Sequence, residues 1–440
     1  MEQNFEALAD RVGARLSAGE AFTLSLNGER SDFVRFNHGR LRQPGHVEQS
    51  QVDLRLLRGR RHVTLTVGLT GNLEVDGVRV DGALERARTL LPLLPEDPHL
   101  LVHESDVRTR AVGSDQLPDA AEVVDATLAA AAGTDMVGIY AGGTVYRGFA
   151  SSWGQRSWYA RTSFDLDWSL VHDADKAVKQ SFAGETFDAD ALAATMATGR
   201  ERLALLARPS RTIAPGSYRV WLEPAAVEEL LGTVSWGSFS AMSLQTRQSA
   251  LQRLYDGKVA LDPRVHLSED VARGVAPDFQ ADGFIRPPSV PLITAGKAAG
   301  SLVSPRTAKE YGLQPNGASG SEHPVALRME PGELADADVL TRLGTGIWVS
   351  NLWYLNYSDR NAARITGMTR FATFWVEDGE IVAPLNVMRF DDSVFDLFGD
   401  RLEALGARAP VSLNNSTYFE RSTGSTTAPG MLLNGFTFTL

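Results

Sequence analysis

The sequence predicts an α+β fold in two parts: an N-terminal half of helices and paired antiparallel strands, and a C-terminal half that is mainly β. Three observations carry this. Apolar residues at Phe5, Leu8, Ala9, Val12 and Leu16 follow helical spacing over residues 4–18. Segments 51–57 and 62–67 alternate apolar and polar side chains on either side of Arg58-Gly59-Arg60-Arg61, as a hairpin does. A stretch rich in Pro, Ser and Gly at 208–216 then separates a helix-rich region from one of short strands. It sets the expected boundary between domains 1–208 and 209–440.

The remaining elements follow in order. Residues 82–94 read as a helix stopped before Pro95, and 120–132 as an alanine-rich helix. Residues 136–149 and 157–172 have strand character, with Gly142-Gly143 as a turn. A long helix, 188–207, ends before Pro209. Past the boundary, a strand at 218–222 leads to helices at 225–234 and 238–255. The helix Pro305–Tyr311 has clear end signals: Ser304 can cap it, Pro305 suits its first turn, and Gly312 suits a left-handed stop. From residue 324 the pattern is mostly β, with one helix at 394–405 and a closing strand from Pro429-Gly430 to Leu440.

Composition narrows the function. The chain has 440 residues, enough for two or three cores, with 43% apolar and 22% charged residues. A formal net charge of -11 argues against non-specific nucleic-acid binding and against anionic membrane surfaces. No apolar run approaches the roughly 20 residues that span a bilayer. The first residues, MEQNFEALADRVG, lack the basic and apolar regions of a signal peptide, so a cytoplasmic location is expected. With no cysteine, disulfides, thiolate metal sites and a Cys nucleophile are excluded. Neither a nucleophile elbow nor a phosphate-binding glycine loop lies between a strand and a helix.

Segment 344–396 is the most informative. It holds the Gly-rich strand Gly346-Ile347-Trp348-Val349, a hairpin at 375–381 (WVEDGEI), and the proline-containing Ala383-Pro384-Leu385. These pieces resemble the C-terminal signature of the TldD/PmbA family, subunits of a cytosolic metallopeptidase. Residues 282–311, from Asp282-Gly283-Phe284 to the helix Thr307-Ala308-Lys309-Glu310-Tyr311, resemble the family too. The N-terminal likeness rests on Phe36-Asn37-His38-Gly39 and the paired strands after it. The resemblance implies an α+β fold whose C-terminal domain is barrel-like.

It also implies a motif that this chain lacks. Catalytic members carry HExxxH on a helix that follows a strand; two imidazoles hold the metal and the Glu activates water. Here the strand 218–222 passes through Glu223-Pro224 into a helix. Aligned on Gly232, Glu228 stands at the first His, Glu229 at the Glu, and Thr233 at the second His. Ser238 falls where a later acidic residue belongs, and Asn414-Asn415-Ser416 falls where catalytic members place a cysteine. The pattern resembles the PmbA/TldE-type subunit, which implies no metal in this chain and zinc in a partner. The implied partner is a TldD-like catalytic subunit, or a second copy, closing a cleft around an unfolded peptide.

Each candidate has a plainer reading beside it. Glu229 is the position that would retain a catalytic role, yet a Glu pair early in a helix also simply favours its dipole. The resemblance marks Asp282, His323 and Asn351 as substrate-cleft candidates, although His323 reads equally as a solvated loop histidine. His99 and His103 have ligand-like spacing, but the segment reads as the start of a strand, where such positions lie ~13 Å apart. Trp348, Trp353, Tyr354 and Tyr357 suit a peptide surface, a subunit interface or a core. Arg58, Arg60, Arg61 and His62 read as a solvated turn. Two rival functions remain. One is an independent metallohydrolase using Glu228, Glu229 and His323 around Mg or Mn, which carboxylates favour. The other is a non-catalytic peptide-binding or regulatory homodimer. Some relatives are described as modulators of DNA gyrase, and the acidic balance makes any such effect indirect.

Overall fold

A computed structural model describes residues 1–173 and 176–439, and the fold is α+β. The first half builds a seven-stranded sheet from β1 (Ala21–Asn37), β2 (Arg40–Arg58), β3 (Arg61–Gly68), β4 (Arg108–Val112), β5 (Asp135–Ser151), β6 (Arg156–Asp173) and β7 (Lys176–Gly184). Four helices accompany it: α1 (Glu2–Gly13), α2 (Leu73–Leu90), α3 (Ala120–Ala131) and α4 (Ala189–Leu206). The strand order is β3-β2-β1-β5-β6-β4, with β7 also on β6. One apolar cluster joins α1 and α2 to the sheet through Phe5, Leu8, Leu24, Leu54 and Leu84. Another, holding Phe164, Leu166, Trp168, Leu192 and Met196, packs α3 and α4 against it.

The second half begins at β8 (Gly216–Leu222) and α5 (Pro224–Val234), followed by α6 (Ala241–Gln245) and α7 (Gln252–Tyr255). Next come β9 (Leu267–Glu269), β10 (Val290–Thr294), β11 (Lys297–Ala298), α8 (Pro305–Tyr311), β12 (Ala326–Met329) and α9 (Val339–Leu343). The segment singled out in the sequence supplies β13 (Gly346–Val349), β14 (Trp353–Asp359), β15 (Arg364–Met368), β16 (Thr373–Glu377), β17 (Glu380–Pro384), β18 (Arg389–Ser393) and α10 (Val394–Leu397). The chain closes with β19 (Leu402–Leu405), β20 (Val411–Leu413), β21 (Ser425–Thr427) and β22 (Met431–Phe438); Leu440 lies outside the described residues. A six-stranded sheet runs β11-β10-β9-β12-β21-β20. A nine-stranded sheet runs β14-β15-β18-β22-β8-β13-β16-β17, with β19 on β22. Its edges, β14 and β17, do not meet among the described residues, so the barrel-like expectation is corrected to an open sheet. No described helix is long and apolar enough to cross a membrane.

Several expected elements stand as read. The hairpin at 58–61 pairs Arg58 with Arg61. The turn of the second hairpin is Asp378-Gly379, both at positive φ (50° and 81°), the conformation that a two-residue turn between twisted strands requires. Helix α8 is capped by the Ser304 hydroxyl and ends at Gly312 with φ 69°.

Others are corrected. Gly142-Gly143 is no turn but the middle of β5, paired with β1 and β6 throughout. A Cβ on Gly143, whose φ is 138°, would lie 2.1 Å from the Arg30 carbonyl oxygen, so glycine is demanded by close approach of β1. Helix α2 starts nine residues earlier than expected (73 against 82), because Asn72 caps it by accepting from the amides of Glu74 and Val75. The helix expected at 238–255 is two short turns, α6 and α7, broken near Arg247 at φ 58°. The helix expected at 394–405 stops after one turn, and 402–405 forms β19 instead. Residues 101–107, expected to begin a strand, belong to none.

Candidate functional site

Strand β8 lies between β22 and β13 in the nine-stranded sheet, with Val220, Trp221 and Leu222 fully buried. Helix α5 follows because Pro224 fits a first helical turn, and its Ala226, Val227, Leu230, Leu231 and Val234 bury one face. At its start Glu223 does not cap the helix. Its carboxylate instead binds the Arg202 guanidinium of α4 (Nη1 3.0 Å, Nη2 2.5 Å), tying the two halves together. Val178 and Leu206 of the first half pack on Ala372 and Phe374 of the second. These contacts turn the polar face of α5 toward β6 and β7.

Glu228 and Glu229 therefore come within electrostatic range of Asp165 and Asp167 of β6 and Lys179 of β7, with Ser412 of β20 beside Glu228 and Asn415 beside Asp167. Lys179 Nζ lies 3.4 Å from Asp167 Oδ2, and Asn415 Nδ2 donates to the same oxygen at 3.3 Å. Burial, then the neighbouring Asp167 charge, pushes the Asp165 carboxyl up to about 7. Burial likewise raises Glu228 to about 7, against a hydrogen bond from Ser412. Burial raises Asp167 and Glu229 too, with Lys179 opposing it at both. By surface Glu228 is half-buried and Glu229 exposed, so Glu229 keeps the solvent that the plainer reading gave it. Carboxyl groups raised toward neutrality beside an ammonium can hold or pass a proton there.

A cleft opens beside this cluster. Tyr159, Arg161, Ser163 and Asp165 of β6 form one wall, and Asn414, Asn415 and Arg421 another. The Arg421 guanidinium donates to the Gly143 carbonyl (2.9 Å) and to the Ser163 carbonyl (2.7 Å). Sequence reasoning missed Asp165, Asp167, Lys179 and Arg421. The available signal was alternation in β6: Phe164, Leu166 and Trp168 are fully buried on one face, and Asp165 and Asp167 share the other.

The other candidates lie elsewhere. The Thr233 hydroxyl donates to the Glu229 carbonyl (3.1 Å), and Ser238 Oγ lies 3.2 Å from Tyr357 Oη, so both are spent on packing α5. Asp282 is ion-paired with Arg55 at 2.9 Å and does not line the cleft. Asn351 is buried just past β13 and does not line it either. His323 lines a second cleft with Glu269 and Arg286. The atypical metal site of Glu228, Glu229 and His323 is thus not assembled, because the loop of His323 packs beside β9 and β12 instead. His99 and His103 are separate: Asp97 accepts from the His99 amide, while His103 Nδ1 lies 3.1 Å from Gln155 Oε1 and its ring 4.9 Å from that of Phe284. Trp348 is half-buried under Arg202, between Ile347 and Val349, which are fully buried. His62 is no freely solvated turn residue, lying 3.3 Å from Asp97.

A metal ion of the implied kind was weighed against these donors. Zinc takes imidazole, thiolate and carboxylate in a tight tetrahedron. At α5 there is no imidazole or thiolate, an ammonium stands among the carboxylates, and the Thr233 hydroxyl is committed to the backbone. The residues present do not fit zinc. Among the described residues no three His, Asp or Glu side chains gather in a way that could hold a metal.

The PmbA/TldA metallopeptidase C-terminal domain matches residues 215–440, and the chain belongs to that PmbA/TldD family. No curated protein matches it. Solved structures share the fold. A protein from Thermotoga maritima described as a modulator of a DNA gyrase is 17% identical with a TM-score of 0.79, over 99% of this chain and 100% of that one. TldE from Thermococcus kodakarensis is 14% identical with a TM-score of 0.79, over 99% and 100%. A protein from Bacteroides thetaiotaomicron also described as a modulator of DNA gyrase is 15% identical with a TM-score of 0.73, over 99% and 98%.

Proposed function

We propose that this chain is the PmbA/TldE-like subunit of a TldD/TldE-type peptidase acting on unfolded peptides in the cytoplasm, without a catalytic metal of its own. The observation that carries the reading is α5. Aligned on Gly232, it takes the place of the family's metal-binding helix, and in that register it bears Glu228, Glu229 and Thr233, with the β6 aspartates and Lys179 within electrostatic range of the two glutamates. The catalytic imidazoles then come from an HExxxH-bearing partner, and this chain closes the cleft. The same reading takes 1–208 and 209–440 as two domains that meet at the cleft, and it needs no contact with nucleic acid. Structural similarity to TldE from Thermococcus kodakarensis supports it. The test is co-expression with an HExxxH-bearing relative: the pair should degrade an unfolded peptide, and neither chain alone should match it. Equal cleavage by the partner alone would end the proposal. Chelator-sensitive hydrolysis by this chain alone would favour the independent-enzyme reading.

A further inference from the structure

Asp165 stands in the cleft with nothing to pair with. It is 8% exposed and lines the cleft, yet its carboxylate has no hydrogen-bond or ion-pair partner among the described residues. The cations around it are committed. Arg161 is held by Glu185 (Nη2 2.9 Å) and the Gly274 carbonyl (3.2 Å). Lys179 is paired with Asp167. Arg421 donates to Gly143 and Ser163, and its charge faces the buried Glu29, which also accepts the Arg421 amide at 3.3 Å. Glu228 and Glu229 add two more carboxylates on the α5 side, so the cluster carries more negative charge than these cations balance.

Asp165 is nine-tenths buried as a residue while its carboxylate, unpartnered among the described residues, stays open to the cleft; such a group calls for a donor from outside the chain. We propose that the cleft receives the nitrogen cation of a peptide, carried on a basic side chain or on a free N-terminus, with Asp165 as its counter-ion. Asn415 supplies a second acceptor, since its amide nitrogen is spent on Asp167 while its carbonyl oxygen has no partner among the described residues. Ala141, Val145, Val275 and Leu413 also line the cleft and suit the methylene stem of a lysine or arginine. The inference rests on the peptide-cleft reading above and names the substrate feature that this subunit selects.

The test uses the full chain and three peptides of one scaffold, labelled at the C-terminus and followed by fluorescence anisotropy at low salt. The first is N-acetylated with a central lysine, the second N-acetylated with norleucine there, and the third has norleucine and a free N-terminus. At least one cationic peptide should bind about tenfold or more tighter than the neutral one, the scale of a charge-assisted hydrogen bond, and Asp165→Asn should erase the difference. Preference for the first peptide assigns the cleft to a side chain, and preference for the third assigns it to the N-terminus. Equal binding of all three, or a preference that survives Asp165→Asn, overturns the assignment and leaves the peptide-cleft reading intact. No binding by any of them overturns the inference, and the co-expression assay then reports on the peptidase reading by itself.

Discussion

Replacing Asp165 by asparagine should stabilise the protein at alkaline pH, and the magnitude follows from its environment. An ordinary aspartate has a pKa of 3.8, whereas burial and the charge of Asp167 push Asp165 up to about 7 in the fold. The folded state therefore binds the proton more tightly than the unfolded chain. Its contribution is a penalty that grows as pH rises from about 4 and is fully expressed above about 7. With about 1.36 kcal/mol per pH unit, the penalty is roughly 1.5 kcal/mol at pH 5 and roughly 4 kcal/mol at pH 8. Asparagine keeps the shape without the charge, at a cost on the order of 1 kcal/mol for an amide left unpaired. The variant should thus gain about 2–3 kcal/mol at pH 8 and near zero at pH 5. Over a chain of this length, at about 2.1 cal/mol/K per residue, that is a thermal midpoint about 2–3 °C higher at pH 8. Matched urea and thermal unfolding of both proteins across this range gives the difference directly, so other titrating groups cancel. A variant destabilised equally at pH 5 and pH 8 would show that Asp165 is ionised and satisfied by partners in the folded state, and the argument for an open counter-ion would fall with it. If the argument holds, the substitution that stabilises the fold also removes peptide discrimination, the trade expected of a group kept for binding.

Three further outcomes test the surroundings. Gly143→Ala should cost at least about 3 kcal/mol or prevent folding, because its Cβ would strike the Arg30 carbonyl at 2.1 Å; yield and thermal midpoint measure it. Glu322, 1% exposed and at φ 52°, accepts from Ser240 Oγ (2.6 Å) and from the amides of Met242 (2.9 Å) and Ser304 (2.8 Å), joining the starts of α6 and α8. Burial raises its pKa, but these hydrogen bonds outweigh it and hold the carboxyl below its usual range. Its stability contribution is therefore present above the unfolded value and lost as pH falls, and Glu322→Gln should cost about 2–4 kcal/mol at pH 7 but less near pH 4 in urea titrations. Elemental mass spectrometry of chain purified alone, without chelator or metal-affinity tag, should find almost no zinc or manganese. Close to one ion per chain would overturn the ligand argument made for α5.

The sequence disclosed what is decided locally. Ser304, Pro305 and Gly312 bracket α8 within nine residues, and Asp378-Gly379 sets its hairpin alone, so both were legible. Gly142-Gly143 misled for a physical reason: adjacent glycines are a local turn signal, but here the missing side chain of Gly143 admits the β1 backbone, which the flanking residues do not disclose. The helix expected at 394–405 failed in a similar way. A Cβ on Gly399 would lie 2.3 Å from the Phe395 carbonyl oxygen, and Leu402, Ala404 and Leu405 find partners on β22. The site was legible only by half. The strand β8 and the helix α5 that carries Glu228 and Glu229 were readable, since strand and helix periodicity are local. What surrounds those carboxylates was not, because Asp165, Lys179 and Asn415 come from β6, β7 and the loop after β20, and the packing of Val178 and Leu206 on Phe374, with the Arg202–Glu223 pair, brings the two halves together. A chain that had merely lost its metal motif would be free to fill that space with apolar side chains. This one keeps four carboxylates there and supplies a lysine to only one of them at pairing distance, an excess of negative charge that the proposed peptide cation would balance.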